Sequence, residues 1–393
     1  MKDLYLDIFC TQQNRHLQRI CGDVFLSQRI KEENRTIVIL SDGMGHGVKA
    51  NILATLSATM AMSFTKNHRD PFKIAEILLN TLPVCSVRKM SYATFTIVEI
   101  NHNKVVQIIN YDNPKTIVLR GKKNIELQWQ CLWLNNPKLK GREILTCSFQ
   151  SEENDRIVIL TDGVIQAGMG TNNMPFGWGL ENVTQYIISN IAKDKNISSE
   201  KLSENIVAQA IKYDNYQPGD DTSACVIYFR EPRSLLICTG PPLDPNNDKL
   251  YAKKLSDFQG KKIICGATTA DIISRELNEP ITDTFEFFDK DLPPISYMKG
   301  VDLITEGILT LTKVLDLLKN FKQEYLYQKG PANFIVKYLI DSDKISFIIG
   351  TKINEAHQDP SLPVDIEIRR TIIKQIASIL EDKFLKTVNI EYI

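Results

Sequence analysis

The chain opens with short strand-like apolar runs at 4–10, 23–30 and 36–40. Helical spacing then takes over: Val48, Ile52, Leu56, Met60 and Phe64 recur every four residues with alanines between them, which predicts a long helix. Asp70-Pro71 supplies an N-cap and first-turn residue for a second helix at 72–82, closed by Pro83. Strands resume at 92–100, 105–111, 116–120, 144–149 and 156–160. A glycine-rich loop over 167–179 leads to helices at about 181–191 and 199–213, and a strand at 224–229 ends the block. Strands that flank pairs of helices, seldom alternating singly with them, predict an α+β layered arrangement: a two-sheet β-sandwich with helices outside.

Glu231-Pro232-Arg233 reads as a boundary, giving domains 1–232 and 233–393. Beyond it two short, wholly apolar strands, 234–238 and 261–265, each run into a loop with glycine. Helices follow at about 270–277, 303–321 and 366–384, so the second part reads as a smaller α/β domain. A length of 393 residues agrees with two cores rather than one.

Composition narrows the class. Hydrophobic residues at 43% and charged residues at 24% are those of a soluble globular protein. Lys plus Arg equals Asp plus Glu, 47 each, which argues against nucleic-acid and membrane partners. No apolar run approaches the roughly 20 residues that span a bilayer, and the N-terminus lacks the basic-then-apolar order of a secretion signal. Eight scattered cysteines without a Cys-x-x-Cys pair read as buried thiols in a reducing compartment, so a cytoplasmic location is expected.

Two segments share one template. Thr36-Ile37-Val38-Ile39-Leu40-Ser41-Asp42-Gly43 and Arg156-Ile157-Val158-Ile159-Leu160-Thr161-Asp162-Gly163 are each an apolar strand, a hydroxyl residue, then Asp-Gly. Asp220-Asp221 and Asp23 stand just before strands. Any one Asp-Gly is a common turn dipeptide. Taken together, acidic residues at the ends of four strands carry a repulsion that a divalent cation relieves. All-oxygen donors select magnesium or manganese, and two such ions can orient a phosphate for in-line attack.

Asp23, Asp42-Gly43, Asp162-Gly163 and Asp220-Asp221 occur in the order and approximate spacing of the PPM-type (type 2C) metal-dependent serine/threonine phosphatases. Ser41-Asp42-Gly43-Met44-Gly45-His46-Gly47, running into a helix, resembles the SpoIIE-like bacterial branch in particular. The resemblance covers about residues 1–230 and implies a PPM phosphatase-like β-sandwich flanked by helix pairs. It implies two divalent cations, Mn2+ or Mg2+. Asp42 would bridge them and Gly43 would offer its carbonyl. Asp162 and Asp220 would hold the first ion and Asp23 the second, with Asp221 secondary. The reaction implied is hydrolysis of phosphoserine or phosphothreonine on a regulatory protein by a metal-bridging hydroxide, with no phosphorylated enzyme side chain. The alternative is a catalytically silent scaffold on the same fold, or a ligand-sensing binding module.

His46 is a candidate proton donor to the leaving group, with a helix-entry residue as the plainer reading. Arg15 and Arg19 are near where some relatives place a phosphate-binding arginine. Asn110-Tyr111-Asp112-Asn113-Pro114 stands where SpoIIE-like relatives often have a Gly-His turn. The loop 167–179, with Trp178, suggests a flap over the cleft. In the C-terminal domain, Cys265-Gly266-Ala267-Thr268-Thr269 and Thr239-Gly240-Pro241-Pro242 could face each other across a cleft that takes a small anionic ligand. An ordinary helix cap explains the first of them equally. By analogy with similar phosphatases, this domain controls activity.

Overall fold

The computed structural model of the chain describes residues 4–30, 32–67, 70–81, 93–133, 143–284, 289, 292–352 and 365–393. Leu82, Pro83, Cys85 and Tyr92 of the sequence reading lie outside these residues. Two compact units emerge, Met1–Glu231 and Pro232–Ile393.

The first unit holds two antiparallel sheets. One has the strand order β2 (Asp23–Ile30), β3 (Arg35–Gly43), β4 (Ala93–Ile100), β5 (Val105–Tyr111), β9 (Glu143–Gln150), β8 (Gln130–Trp133). The other runs β1 (Tyr5–Gln13), β11 (Thr222–Arg230), β10 (Asp155–Leu160), β6 (Ile117–Arg120), β7 (Lys123–Asn124). Their central strands are unbroken apolar runs because both faces are covered. In β3, Val38 and Leu40 pack between the sheets with Val98, Ile108, Ile157 and Ile227. Ile37 and Ile39 turn the other way, against α1 (Gly47–Lys66) and α2 (Pro71–Thr81). On the far side Val158, Leu160 and Val226 meet α4 (Leu180–Lys193) and α5 (Ser199–Tyr213). Each such side chain contributes about 1.5–3 kcal/mol relative to exposure. The result is the α+β sandwich flanked by helix pairs that the sequence predicts.

The predicted long helix forms as α1, and two details of its surroundings and of the loop 167–179 go beyond the sequence pattern. The every-fourth apolar row that marks α1 in the sequence is not its buried face: Val48, Ile52 and Leu56 are 59%, 60% and 43% exposed, while Ala50, Ala54, Ala58 and Ala61 are fully buried. The small residues let α1 settle closely on β3. A Cβ on Gly43 would stand 2.0 Å from the Ala50 carbonyl oxygen, so larger residues on that face would force the helix away. Within the loop 167–179, Trp178 anchors the segment to the core. It is buried, with its ring edge-on to Tyr186 and Tyr213 at centroid distances of 5.3 and 5.2 Å.

In the second unit five parallel strands stand in the order β16 (Val301–Thr305), β13 (Lys261–Cys265), β12 (Ser234–Thr239), β17 (Lys344–Ile349), β18 (Thr387–Tyr392). β15 (Ser296–Met298) and β14 (Thr282–Asp283) extend the sheet antiparallel beyond β16. Chain order runs outward from β12 in both directions, a doubly wound pattern. Leu235 and Ile237 face α8 (Ile308–Lys319), α9 (Pro331–Asp341) and α10 (Asp365–Asp382), and Leu236 and Cys238 face α6 (Asp248–Asp257) and α7 (Ala267–Leu277). The helix expected from 303 begins only at Ile308, since Leu303 belongs to β16. Gly240 and Gly266 sit on the same sheet edge, yet each closes on a different neighbour: Gly240 on Gly350 and Arg369, Gly266 on Gly307.

Candidate metal centre

Strand register assembles the acidic residues. The β2–β3 ladder sets Asp23 directly opposite Asp42, and the β3–β4 ladder sets Asp42 opposite Thr94. From the second sheet, β10 ends at Leu160, Thr161 follows, and Asp162 opens the short helix α3 (Asp162–Ile165). Asp220-Asp221 leads directly into β11.

Asp23 ties the two sheets together. Its Oδ2 accepts hydrogen bonds from Thr161 Oγ1 at 2.9 Å and from Ser223 Oγ at 2.6 Å. Gln12 Nε2 reaches Ser223 Oγ and the Asp23 carbonyl, both at 3.2 Å. The other oxygen of Asp23, Oδ1, is buried with no hydrogen-bond partner. Asp221 repeats the pattern: Oδ1 accepts the Arg15 backbone N–H at 3.0 Å, and Oδ2 is buried and unpartnered. Asp162 Oδ2 accepts from Gln166 Nε2 at 2.9 Å, and Asp162 lies close enough to Asp42 for the two carboxyls to act on each other. Asp220 Oδ1 accepts the Asp221 N–H at 2.9 Å.

The two Asp-Gly pairs are not positive-φ turns, because neither Gly43 nor Gly163 has a positive φ. Their lack of a side chain serves close packing instead. A Cβ on Gly163 would stand 2.2 Å from the Asp221 carbonyl oxygen, as one on Gly43 would press on Ala50. The glycines thus let α1 close on the end of β3, and let the Asp162 and Asp220-Asp221 loops of the second sheet close on each other.

Such crowding is electrostatically costly. Burial, with added repulsion from Asp221 and Asp162, pushes the Asp23 carboxyl up to about 7 despite its two hydroxyl donors. Asp42 is held well above the ordinary carboxylate range by burial first, then by Asp23, Asp162 and Asp220. Burial also raises Asp162, and burial together with Asp162 raises Asp220, whose shift Arg15 partly offsets.

The family model of SpoIIE, stage II sporulation protein E, matches residues 32–230. The chain belongs to the SpoIIE family. It is accordingly a SpoIIE-like member of the PPM-type phosphatases. Among solved structures it is similar to the PP2C phosphatase domain and regulatory-domain fragment of SpoIIE from Bacillus subtilis. Identity there is 15% over 58% of this chain and 65% of that one, with a TM-score of 0.47. The RsbU and RsbW domains of a Mycobacterium tuberculosis protein align at 16% identity over 64% of this chain and 67% of that one, TM-score 0.46. RsbX, solved in complex with magnesium, aligns at 17% identity over 58% of this chain and 100% of that one, TM-score 0.40. No curated protein matches the sequence.

Among the described residues no group of three or more His, Cys, Asp or Glu side chains stands ready-made to enclose a metal ion. The fit of this SpoIIE-family site to divalent cations lies in its donor chemistry: hard oxygens only, two of them buried and orphaned, and carboxyls whose ionisation the site itself opposes. Asp23, Asp42, Asp162, Asp220 and Asp221 are brought to one end of the sandwich. His46 is placed apart in character: it is the exposed N-cap of α1, in extended conformation, and its side chain makes no capping bond. The sequence reading gave no role to Thr161 and Ser223, although both adjoin the motifs it used. Gln12 and Gln166 carry no comparable signal in the sequence, and Asn113 stood out there only as part of the segment 110–114 that replaces a Gly-His turn.

Proposed function

We propose that the first unit hydrolyses phosphoserine or phosphothreonine on a regulatory protein, using two divalent cations, Mn2+ or Mg2+. The observation that carries this reading is the meeting of carboxylates from both sheets, with buried oxygens of Asp23 and Asp221 left without partners. Asp42, the Gly43 carbonyl, Asp23, Asp162 and Asp220 are the proposed ligands, with Asp221 secondary. When bound, the cations neutralise the carboxylates and the substrate phosphate and make water a nucleophile at neutral pH.

The chain's own residues do the rest. Thr161 and Ser223 fix one Asp23 oxygen, which leaves the other as the donor atom. Gln166 does the same for Asp162 Oδ2. Arg15, whose charge acts on Asp220, is the better placed of the two arginines for the substrate phosphate. His46, exposed where the chain enters α1, is the candidate donor of a proton to the leaving oxygen.

For Pro232–Ile393 the proposed role is control of this activity by a small anionic ligand. Strand order reverses beside β12, and open α/β sheets bind ligands outside the strand ends at such a point. The test is phosphate release from p-nitrophenyl phosphate and a phosphoserine peptide, with manganese, magnesium or chelator, for the full chain and Asp42→Ala. Turnover that needs the metal and disappears in the variant is expected. A full chain and a 1–231 fragment that are both silent with either metal would favour the scaffold.

A further inference from the structure

The turn after β5 does more than reverse the chain. Asp112 adopts φ 57°, and Asn110 Nδ2 closes the turn by donating to the Pro114 carbonyl at 3.0 Å. This returns Asn113, buried at 9% exposure, across the end of the six-stranded sheet. Its Nδ2 donates to the Leu40 carbonyl at 3.2 Å and to Thr96 Oγ1 at 3.1 Å. Its Oδ1 accepts from Thr94 Oγ1.

Those partners are not scattered. Leu40 lies two residues before Asp42 and pairs with Thr96, while Thr94 pairs with Asp42 itself. Ser41 Oγ adds a bond to the Thr94 carbonyl at 2.9 Å. One buried amide therefore joins three points on β3 and β4 around the residue pair that carries Asp42. Strand ends are where a sheet frays, and a carboxylate that must meet a cation tolerates errors of only about half an ångström. Both N–H groups of the Asn113 amide donate and its oxygen accepts one bond within this cluster, which makes it a polar clamp.

We infer that Asn113 is a positioning residue for Asp42, holding the β3–β4 strand ends so that this carboxylate is set for divalent-cation binding. The inference rests on the metal-dependent reading of the site. Losing a partner that orients a metal ligand weakens metal affinity by roughly 10- to 100-fold. A residue that served only the fold would lower thermal stability and leave the affinity of the folded chain alone.

The test is isothermal titration calorimetry of Mn2+ into the full chain, for wild type, Asn113→Ala and Thr94→Val. It is paired with the KM and kcat of p-nitrophenyl phosphate hydrolysis. Asn113→Ala is expected to bind Mn2+ about 10- to 100-fold more weakly, with KM unchanged and kcat at sub-saturating metal reduced in step. Thr94→Val, which removes one bond of the cluster and keeps the side chain's shape, is expected to shift affinity the same way by a smaller factor. Wild-type affinity in a folded Asn113→Ala overturns the inference. Should that variant not fold, Thr94→Val decides: weakened binding upholds the inference and unchanged binding overturns it. A wild-type chain that takes up no Mn2+ overturns the metal reading itself, and the inference with it.

Discussion

Replacing Asp23 with asparagine should stabilise the metal-free protein at pH 8. Asp23 is 2% exposed, so solvent screens little of its charge. Its carboxyl is raised from 3.8 to about 7. Below about pH 4 the carboxyl is protonated in both folded and unfolded chains and contributes no difference. Between there and about pH 7 the unfolded chain ionises freely while the folded one resists, so stability declines as pH rises and then levels off. A shift of about three pH units, at 1.36 kcal/mol each, sets a ceiling of about 4 kcal/mol. Sharing the repulsion with Asp42, Asp162 and Asp221 makes about 2–4 kcal/mol the reasonable range. Asparagine keeps an oxygen for Thr161 and Ser223 and offers its new N–H groups to the neighbouring carboxylates. Thermal unfolding in chelator at pH 8 should therefore rise by about 5–12 °C for a unit of this size, and the gain should fade toward pH 4. In excess manganese the order should reverse, because the wild type gains binding energy that the variant loses. A variant less stable than wild type at pH 8 in chelator would refute the reasoning.

Gly43→Ala must push Ala50 and α1 off β3, since the new carbon would meet backbone atoms at 2.0–2.9 Å; denaturant unfolding should show a loss of about 1–3 kcal/mol and weaker metal activation. Trp178→Ala should cost about 3–5 kcal/mol in the same assay, while leaving the KM of the surviving folded fraction unchanged, because the ring lies in the core rather than over a cleft. Ile52→Ser, on the exposed face of α1, should change stability by no more than about 0.5 kcal/mol, which circular-dichroism melts would detect.

The aspartates were legible in the sequence because their setting repeats: apolar strand, hydroxyl residue, Asp-Gly. Strand ends are where loops expose chemistry, so two such endings, with Asp23 and Asp220-Asp221 at the starts of two further strands, imply one site. The face of α1 was not legible. Periodicity finds every apolar row on a helix, but only the partner decides which row is buried, and here β3 needs the closeness that Ala50 and Ala54 permit. The place of Trp178 was illegible for a related reason: a glycine-rich loop reads as surface, yet one residue within it dives into the core between Tyr186 and Tyr213. The segment around Asn113 was noticed, but the role of its amide was not legible because it depends on strand pairing between residues far apart in the chain. In the second unit the two wholly apolar strands and three of the helices stood out; β16 was absorbed into a helical reading because only Glu306 and Gly307 separate it from α8.

The most direct test of the account is the number of manganese ions bound per full-length chain, measured by calorimetry for wild type and Asp42→Ala. Two ions in the wild type, with a marked loss in the variant, is the predicted result. A chain that binds none, while unfolding cooperatively on heating, would contradict the claim that these strand-end aspartates form a divalent-cation centre.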